Sequence, residues 1–320
     1  MDERYFITGA QGCIGSWIVK TLVERGDEAI VFDRSDDSRR LGAIMTPDDL
    51  TRVHFICGDI TDAHAVRSAL RESEAQRIVH LAGLQVPSCK ANPVNGALVN
   101  VVGTLNVFEA ARETGASSVV YASSAAVYGI NDDDIALDET AHCEPSTHYG
   151  VFKLTNEGNA RIYFLDHGVS SVGLRPLTVY GVNRDTGLTS DPTKAMKSAV
   201  LGRPFHIRFS GATDFQYVAD TAAAFIACAD KAPEGAHVFN LHGETLSVDQ
   251  ITEFINQQSK DSLVTFSGPP IPIAPAINDA AIRQAIGPLP STPYQQGIRA
   301  TMKRFADLQA AGRLDTSDLL

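Results

Sequence analysis

The 320-residue chain is predicted to be an α/β protein, a doubly wound parallel (Rossmann) sheet with a smaller C-terminal substrate-binding lobe. Three observations predict it. Short apolar runs alternate with segments of helical periodicity. A glycine-rich turn follows the first apolar run at residues 9–15. Seven of the fifteen prolines fall between 269 and 293, which excludes long regular structure there and favours the loops of a second lobe.

The elements follow from these patterns in chain order. The first helix runs from Ile14 to a C-terminal cap at Gly26, and Asp62 is placed to cap a later one. Strands are predicted at 5–8, 29–32, 54–57, 78–81, 118–122 and 172–174, and further helices at 62–72, 94–113, 147–167 and 296–311. We expect residues 1–177 and 214–245 to form the nucleotide-binding domain that carries the glycine-rich turn, and 178–213 and 246–320 to form the smaller substrate-binding lobe.

The amino-acid composition limits the classes of molecule that the protein is expected to bind. Lys and Arg total 27 against 38 Asp and Glu, a net charge of −11, which disfavours nucleic acid or an anionic membrane. No apolar run reaches membrane-spanning length, and the N-terminus does not resemble a signal peptide. The five cysteines are scattered and odd in number, so we expect reduced thiols, no metal site and a cytoplasmic protein.

The turn at residues 8–15, Thr-Gly-Ala-Gln-Gly-Cys-Ile-Gly, predicts a phosphate-binding site. Gly9 permits the tight turn, Gly12 allows a pyrophosphate close to the backbone, and Gly15 allows close packing of the helix. The helix N-terminus, with the backbone of Cys13 and Ile14, supplies unpaired N–H donors. A glycine-rich turn without a ligand is the plainer alternative.

Two carboxylates follow the next strands. Asp33 lies 18 residues after Gly15, where it can accept hydrogen bonds from a ribose, and it would repel a 2′-phosphate. NAD is therefore favoured over NADP, although the adjacent Arg34 weakens that preference. Asp59 can pair with the adenine amino group. Alternatively, it is the N-cap of the following helix.

Tyr149 and Lys153 lie four residues apart and would share one helix face. We expect the lysine cation to lower the pKa of the phenol, so that Tyr149 can remove a hydroxyl proton while a hydride leaves the same carbon. Ser123 and Ser124 end the fifth strand, where one hydroxyl can bind the substrate oxygen.

These residues resemble the extended short-chain dehydrogenase/reductase superfamily, in its NAD-dependent epimerase/dehydratase branch, over nearly the whole chain. The matching segments include the glycine turn, 80–83, 100–104, 174–181 and 214–218. The resemblance implies that Ser124, Tyr149 and Lys153 are catalytic. It implies that NAD contacts Gly9, Gly12, Cys13, Ile14, Gly15, Asp33, Asp59, Ile60, Leu81, Ala82, Gly83, Asn100, Tyr149 and Lys153.

The departures from the family pattern narrow the chemistry. Ala125 and Ala126 stand where dehydratases carry an Asp-Glu pair and decarboxylases keep a glutamate, so neither reaction is expected. Thr213 replaces an arginine that meets a diphosphate, and Thr178 replaces an asparagine, which weakens the expectation of a UDP-linked substrate. Arg208 or Arg203 would have to compensate for the arginine.

The sequence therefore predicts an NAD-dependent oxidoreductase or epimerase acting on a secondary hydroxyl of a sugar or sugar derivative. Ser124, Thr178 and Arg184 are the candidate substrate contacts. One alternative is a dehydrogenase of a small hydroxy acid, sugar acid or hydroxy amino acid, and another is a non-catalytic dinucleotide sensor. By resemblance we expect a homodimer joined through helices 94–113 and 147–167, with Leu98, Val101, Leu105 and Phe108 in the interface.

Overall fold

The computed structural model describes residues 3–130, 136–259 and 263–319. Its strands are Arg4–Thr8 (β1), Glu28–Asp33 (β2), Val53–Cys57 (β3), Arg77–His80 (β4), Ser118–Ala122 (β5), Ser171–Arg175 (β6), Thr178–Tyr180 (β7), Phe205–Ile207 (β8), Ala212–Tyr217 (β9), Ala236–Asn240 (β10), Glu244–Ser247 (β11) and Val264–Phe266 (β12).

Helices separate most of these strands. They are Cys13–Arg25 (α1), Arg39–Gly42 (α2), Pro47–Leu50 (α3), Ala63–Ser73 (α4), Val86–Ala91 (α5), Pro93–Ala97 (α6), Gly103–Thr114 (α7), His148–His167 (α8), Asp191–Val200 (α9), Val218–Lys231 (α10), Val248–Gln257 (α11), Ala280–Ile286 (α12) and Tyr294–Ala310 (α13). Leu98–Val102 is a π-helical turn, and 3₁₀ turns occur at Ala125–Val127 and Ser317–Leu319.

Seven parallel strands form the main sheet, in the order β10-β6-β5-β4-β1-β2-β3. The predicted doubly wound α/β fold is confirmed, with β10 as a strand that the sequence analysis did not predict. Apolar clusters cover both faces of this sheet, one against α1 and α10 and the other against α4 and α7. The carboxyl ends of β1, β4 and β5 therefore meet at one edge, where α1 begins.

Two smaller sheets lie in the chain outside the main one. β7, β9 and β11 form a three-stranded sheet, and β8 pairs with β12. Most of β9 falls in the segment 214–245 that the sequence analysis assigns to the nucleotide-binding domain, yet it pairs with β7 and β11. The domain boundaries stay a prediction. The proline-rich segment contains one short helix, α12, and α13 follows it close to the predicted bounds.

Local capping follows the sequence closely. Gly26 ends α1 in the left-handed conformation with φ of 93°. The Asp62 carboxylate caps α4 by accepting the backbone N–H groups of His64 and Ala65. The helix predicted over 94–113 is instead divided by the π turn into α6 and α7. In the described part of the chain, none of the helices combines the length and apolar character that crossing a membrane requires.

Candidate active site

The glycine turn between β1 and α1 leaves no room for a side chain at Gly9 or Gly15. Gly9 has φ of +69°, and a Cβ atom there would lie 2.5 Å from the backbone nitrogen of Ala82. A Cβ on Gly15 would lie 2.6 Å from Cα of Ala10. Glycine is therefore needed at Gly9 both for its conformation and for the close approach of the chain after β4.

The first turn of α1 fits an anionic ligand. Gly12, at the N-cap, provides no side-chain acceptor, and the first turn holds no acidic residue. The backbone N–H groups of Cys13 and Ile14 thus lie at a helix N-terminus that no side chain of its own caps. Such a terminus binds phosphate through its free donors and its dipole. The residues present therefore fit a dinucleotide pyrophosphate.

Asp33 ends β2 beside this turn. Its Oδ2 accepts the backbone N–H of Gln11 at 3.1 Å, and Oδ1 accepts that of Arg34 at 2.8 Å. The carboxylate is half-buried at the open edge of the sheet. It is held in place for the ribose hydroxyls that the sequence prediction assigns to it.

Asp59 and Ile60 follow β3. Hydrogen bonds from the backbone and side chain of Thr61 hold the pKa of Asp59 below its usual range, so it is an anion at neutral pH. Ile60 is buried against Gly103 at the start of α7. The carbonyl of Ile60 accepts a hydrogen bond from Asn106 Nδ2 at 2.9 Å.

The chain leaving β4 lines the centre of the cleft. The backbone N–H of Leu81 donates to Thr8 O at 3.0 Å, and that of Ala82 donates to Thr8 Oγ1 at 3.3 Å. At Gly83 a Cβ would lie 3.3 Å from Asn100 Oδ1 and 3.7 Å from Lys153 Nζ. This segment therefore passes directly in front of the candidate catalytic lysine.

Asn100 sits in the π turn and anchors this segment. Its Oδ1 accepts the backbone N–H of Leu84 at 2.6 Å, and its Nδ2 donates to Leu84 O at 2.9 Å. The Asn100 carbonyl accepts from Thr104 Oγ1 and from Asn156 Nδ2 on α8. Its first contacts are thus with protein backbone, and binding of NAD by Asn100 stays a prediction.

Tyr149 and Ser124 meet at the opening of the cleft. Burial raises the pKa of the Tyr149 phenol, whereas a hydrogen bond with Ser124 and the nearby charge of Arg184 act to lower it. The sequence prediction gives the pKa-lowering role to Lys153. In the structure the neighbouring groups that favour the phenolate are Ser124 and Arg184.

Lys153 lies one helical turn from Tyr149 in α8, with its Nζ 5.5 Å from the centroid of the tyrosine ring. The ammonium donates to Ala122 O at 2.6 Å and is almost fully buried. Burial lowers the pKa of Lys153 to about 8, while Cys89 and Glu157 act to raise it.

His80 ends β4 behind the cleft and has a structural role. Its ring nitrogens lie 2.7 Å from Thr8 Oγ1 and 3.0 Å from Thr104 Oγ1. Burial lowers the pKa of His80 to about 3, so the ring is neutral.

Arg184 follows β7 and reaches the opening of the cleft. Its Nη1 lies 3.4 Å from Gln85 Oε1, and its Nη2 donates to Thr189 Oγ1 at 3.0 Å. Its buried Nε meets no hydrogen-bond acceptor among the described residues, and within them the guanidinium forms no ion pair. A cation beside Tyr149 is thus available for an anionic group.

Thr178, a candidate substrate contact, lies in the protein interior rather than at the surface. It is fully buried, and its Oγ1 lies 2.6 Å from Thr213 Oγ1. Thr178 and Thr213 stand where the family has asparagine and arginine. Their hydroxyl groups therefore hydrogen-bond to each other. Arg208, one of the arginines considered as a replacement, is paired with Asp191 at 2.7 Å.

Contacts between distant segments escaped the sequence analysis. Arg40 Nη2 donates to Asp185 Oδ1 at 2.8 Å, and Arg40 Nη1 donates to Gln11 O at 3.2 Å. Asn183, with φ of 78°, donates to Ser16 Oγ at 2.9 Å. The segment after β7 is thus tied across the start of α1. The signal in the sequence that could have indicated it is the polar character of Arg184, Thr186, Thr189 and Ser190.

The fold and this cleft define a protein of the extended short-chain dehydrogenase/reductase type. A glycine turn, an acidic residue at the end of β2 and a Tyr/Lys pair on α8 meet at one edge of the parallel sheet. The model of the NAD dependent epimerase/dehydratase family matches residues 5–241, and the chain belongs to that family. The prediction of NAD as cofactor is confirmed with it.

Curated relatives and solved structures agree with this assignment. UDP-glucose 4-epimerase of Streptomyces lividans is 28% identical over 80% of this chain and 81% of its own length. UDP-glucuronate 4-epimerase 4 of Arabidopsis thaliana is 25% identical over 96% of this chain and 77% of its own. The NAD complex of the UDP-glucose 4-epimerase from Thermus thermophilus superposes with a TM-score of 0.81 at 25% identity, covering 94% of this chain and 98% of that one.

Proposed function

We propose that this chain is an NAD-dependent sugar epimerase that oxidises and re-reduces a secondary hydroxyl. The observation that carries the proposal is the meeting of Tyr149, Ser124 and Lys153 in front of the residues that fit a dinucleotide. Relatives named as UDP-glucose and UDP-glucuronate 4-epimerases support a sugar as the substrate.

Each of the three side chains has a distinct part in this mechanism. Tyr149 takes the proton of the substrate hydroxyl, and Ser124 donates a hydrogen bond to the same oxygen as charge develops on it. Ser124 and Arg184 favour the phenolate of Tyr149, and Lys153, near the Tyr149 ring, holds a ribose hydroxyl. When bound, NAD accepts the hydride from the carbinol carbon, and epimerisation requires its return on the opposite face.

Dehydration and decarboxylation are not part of the proposal. Ala125 and Ala126 are both buried in the 3₁₀ turn after Ser124 and carry no group that moves a proton. The two reactions would need a proton donor or acceptor at that point of the cleft.

A second candidate function is favoured by Arg184. Because its guanidinium has no ionic partner among the described residues, it can bind a carboxylate close to Tyr149. An NAD-dependent dehydrogenase of a free sugar acid or small hydroxy acid would use that contact. The buried Thr178–Thr213 contact, in place of a diphosphate-binding arginine, points the same way.

Retention of the dinucleotide separates the two functions. The protein is purified without added cofactor and denatured, and any released dinucleotide is identified and quantified by mass spectrometry. Near-stoichiometric NAD supports the epimerase, which keeps its cofactor through the cycle. Empty protein that reduces added NAD in the presence of a sugar acid supports the dehydrogenase. NADP in place of NAD would contradict the role given to Asp33.

We also propose a homodimer. Apolar side chains on α6, the π turn and α8 are exposed and could pack against a second copy. Phe108, predicted for the interface, is instead fully buried and stacks on Tyr163. Light scattering at the mass of a single chain would contradict the dimer. The exposed apolar residues on these three elements are Val94, Leu98, Val102, Val151, Ile162 and Leu165.

A further inference from the structure

A buried ion pair lies directly behind the loop that carries Ser124. Arg175, at the end of β6, donates from Nε to Glu157 Oε1 at 2.8 Å and from Nη2 to Oε2 at 2.6 Å. The two side chains are only 5% and 6% exposed. Charges removed from water at this depth lose solvation, and such pairs often stabilise a fold no more than apolar residues of equal volume. Stability alone therefore does not account for a charged pair here.

The pair holds both ends of the loop that carries Ser124. Ser123, just before it, donates from Oγ to Glu157 Oε1. Tyr128, just after the 3₁₀ turn, accepts at Oη from Arg175 Nη1 at 2.7 Å. Glu157 and Arg175 thus fix the entry and the exit of this short loop.

The same pair is rigidly connected to the other two proposed catalytic side chains. Glu157 lies one helical turn after Lys153 and two turns after Tyr149 on α8. Side chains at this spacing share a face of the helix. A single bidentate contact therefore sets the position of the Ser124 loop relative to both residues on the helix.

Glu157 also contributes negative charge that favours the protonated form of Lys153. The buried ammonium contacts the carbonyl of Ala122, and Glu157 opposes the effect of burial on its pKa. The titratable groups that act on or lie against Lys153 are Tyr149 and Glu157 on α8, Cys89 on α5 and His80 on β4. His80 is neutral, and burial raises the pKa of the Cys89 thiol, so the Glu157 carboxylate, which is paired with Arg175, is the negative charge in this group.

We propose that Glu157, locked by Arg175, is a positioning residue that aligns Ser124 with Tyr149 and keeps Lys153 protonated during turnover. The inference rests on the proposed function, since it assumes that these three residues do the chemistry. It assigns a role to a carboxylate that does not itself contact the substrate.

Glu157→Gln tests the charge. The amide keeps the shape of the side chain but removes the anion beside Lys153. We expect the pKa of Lys153 to fall below about 8, so the alkaline limb of the kcat profile moves to lower pH. UDP-glucose and UDP-glucuronate are the probe substrates. The Lys153 titration is also followed without substrate by NMR of ¹⁵N-lysine-labelled protein, with the signal assigned through Lys153→Met.

Glu157→Asp tests position separately, because it keeps the charge and shortens the reach to Ser123 and Arg175. We expect kcat to fall about 10- to 100-fold with the Lys153 titration and the bound NAD unchanged. The matched control is Asp318→Asn, which removes the carboxylate of another buried pair, with Lys197 at 2.6 Å, outside the cleft. This control should lower the melting temperature without changing the pH profile.

The proposal is overturned if Glu157→Gln leaves the Lys153 titration at the wild-type pH, or if both variants lose activity only in step with the melting temperature, as the control does. Failure of the proposed function gives a different result. In that case Tyr149→Phe stays active, whatever the Glu157 variants do.

Discussion

The nucleotide-binding edge and the substrate-facing segments of this molecule are built by different means. At the edge, contacts are made by backbone: Gly9 lies against Ala82, and the first turn of α1 presents its own N–H groups. On the substrate side, side chains from distant segments make the contacts, as between Arg184 and Gln85. A backbone site depends on glycine and so can be read from a short stretch of sequence. A side-chain site depends on the fold that brings its members together.

We expect the largest loss of activity from a substitution where the nucleotide-binding edge meets the substrate-facing segments. Tyr149→Phe removes the phenolic oxygen without changing the packing of the ring. We expect turnover to fall about 10³-fold or more while bound NAD stays at the wild-type level. Initial rates with UDP-glucose, together with dinucleotide content by mass spectrometry, measure both. Loss of NAD in this variant would assign Tyr149 to the cofactor rather than to the reaction.

Gly9→Ala tests whether the backbone edge depends on close approach. Its Cβ would meet Ala82 at 2.5 Å, whereas Gly115, with the same φ of +69°, has nothing within 4 Å. Gly115→Ala is therefore a control for backbone strain alone, expected to cost about 1 kcal/mol. For Gly9→Ala we expect about 3 kcal/mol and loss of NAD binding. Denaturant unfolding compares the two, and equal losses would contradict the close approach.

Arg184→Gln tests the substrate side. Because the charge of Arg184 lowers the pKa of Tyr149, its removal raises that pKa. The acid limb of kcat/KM should move to higher pH, with KM rising more for UDP-glucuronate than for UDP-glucose. The exposed Arg71→Gln, on α4, is the control. An unchanged profile in Arg184→Gln would remove the arginine from the site.

The smallest effect concerns His242, which is hydrogen-bonded to the buried Asp214 of β9. That bond raises the pKa of His242, so its contribution to stability is present below the unfolded pKa and is lost as pH rises through the folded one. The side chain is 36% exposed, so we expect less than about 1 kcal/mol. Urea unfolding of His242→Gln should show a weaker loss of stability from about pH 6 to about pH 9 than the wild type.

The sequence alone was sufficient to predict structural features that are determined by neighbouring residues. Gly26 and Asp62 were predicted as caps, and Gly26 ends α1 while Asp62 begins α4, as expected. The α/β fold followed from the strand pattern and the glycine turn, and the NAD family followed from the resemblance of this turn, the Tyr149/Lys153 pair and the other matching segments to that family.

The sequence did not predict contacts between residues that lie far apart in the chain. Arg40 and Asp185 are separated by 145 residues. Nothing near either residue indicates the other. Phe108 matches the apolar pattern of an interface and of a core equally well, and only packing against Tyr163 decides for the core.

The π turn at Leu98–Val102 has a consequence for chain length. A π turn holds one residue more than an α turn, so deleting one residue there would restore regular helix and leave α7 facing the sheet as it does now. The buried Phe108 would keep its place, whereas Asn100 within the turn would move away from Leu84. The extra residue thus sets the direction of the side chains inside the turn without changing how α7 packs on the sheet.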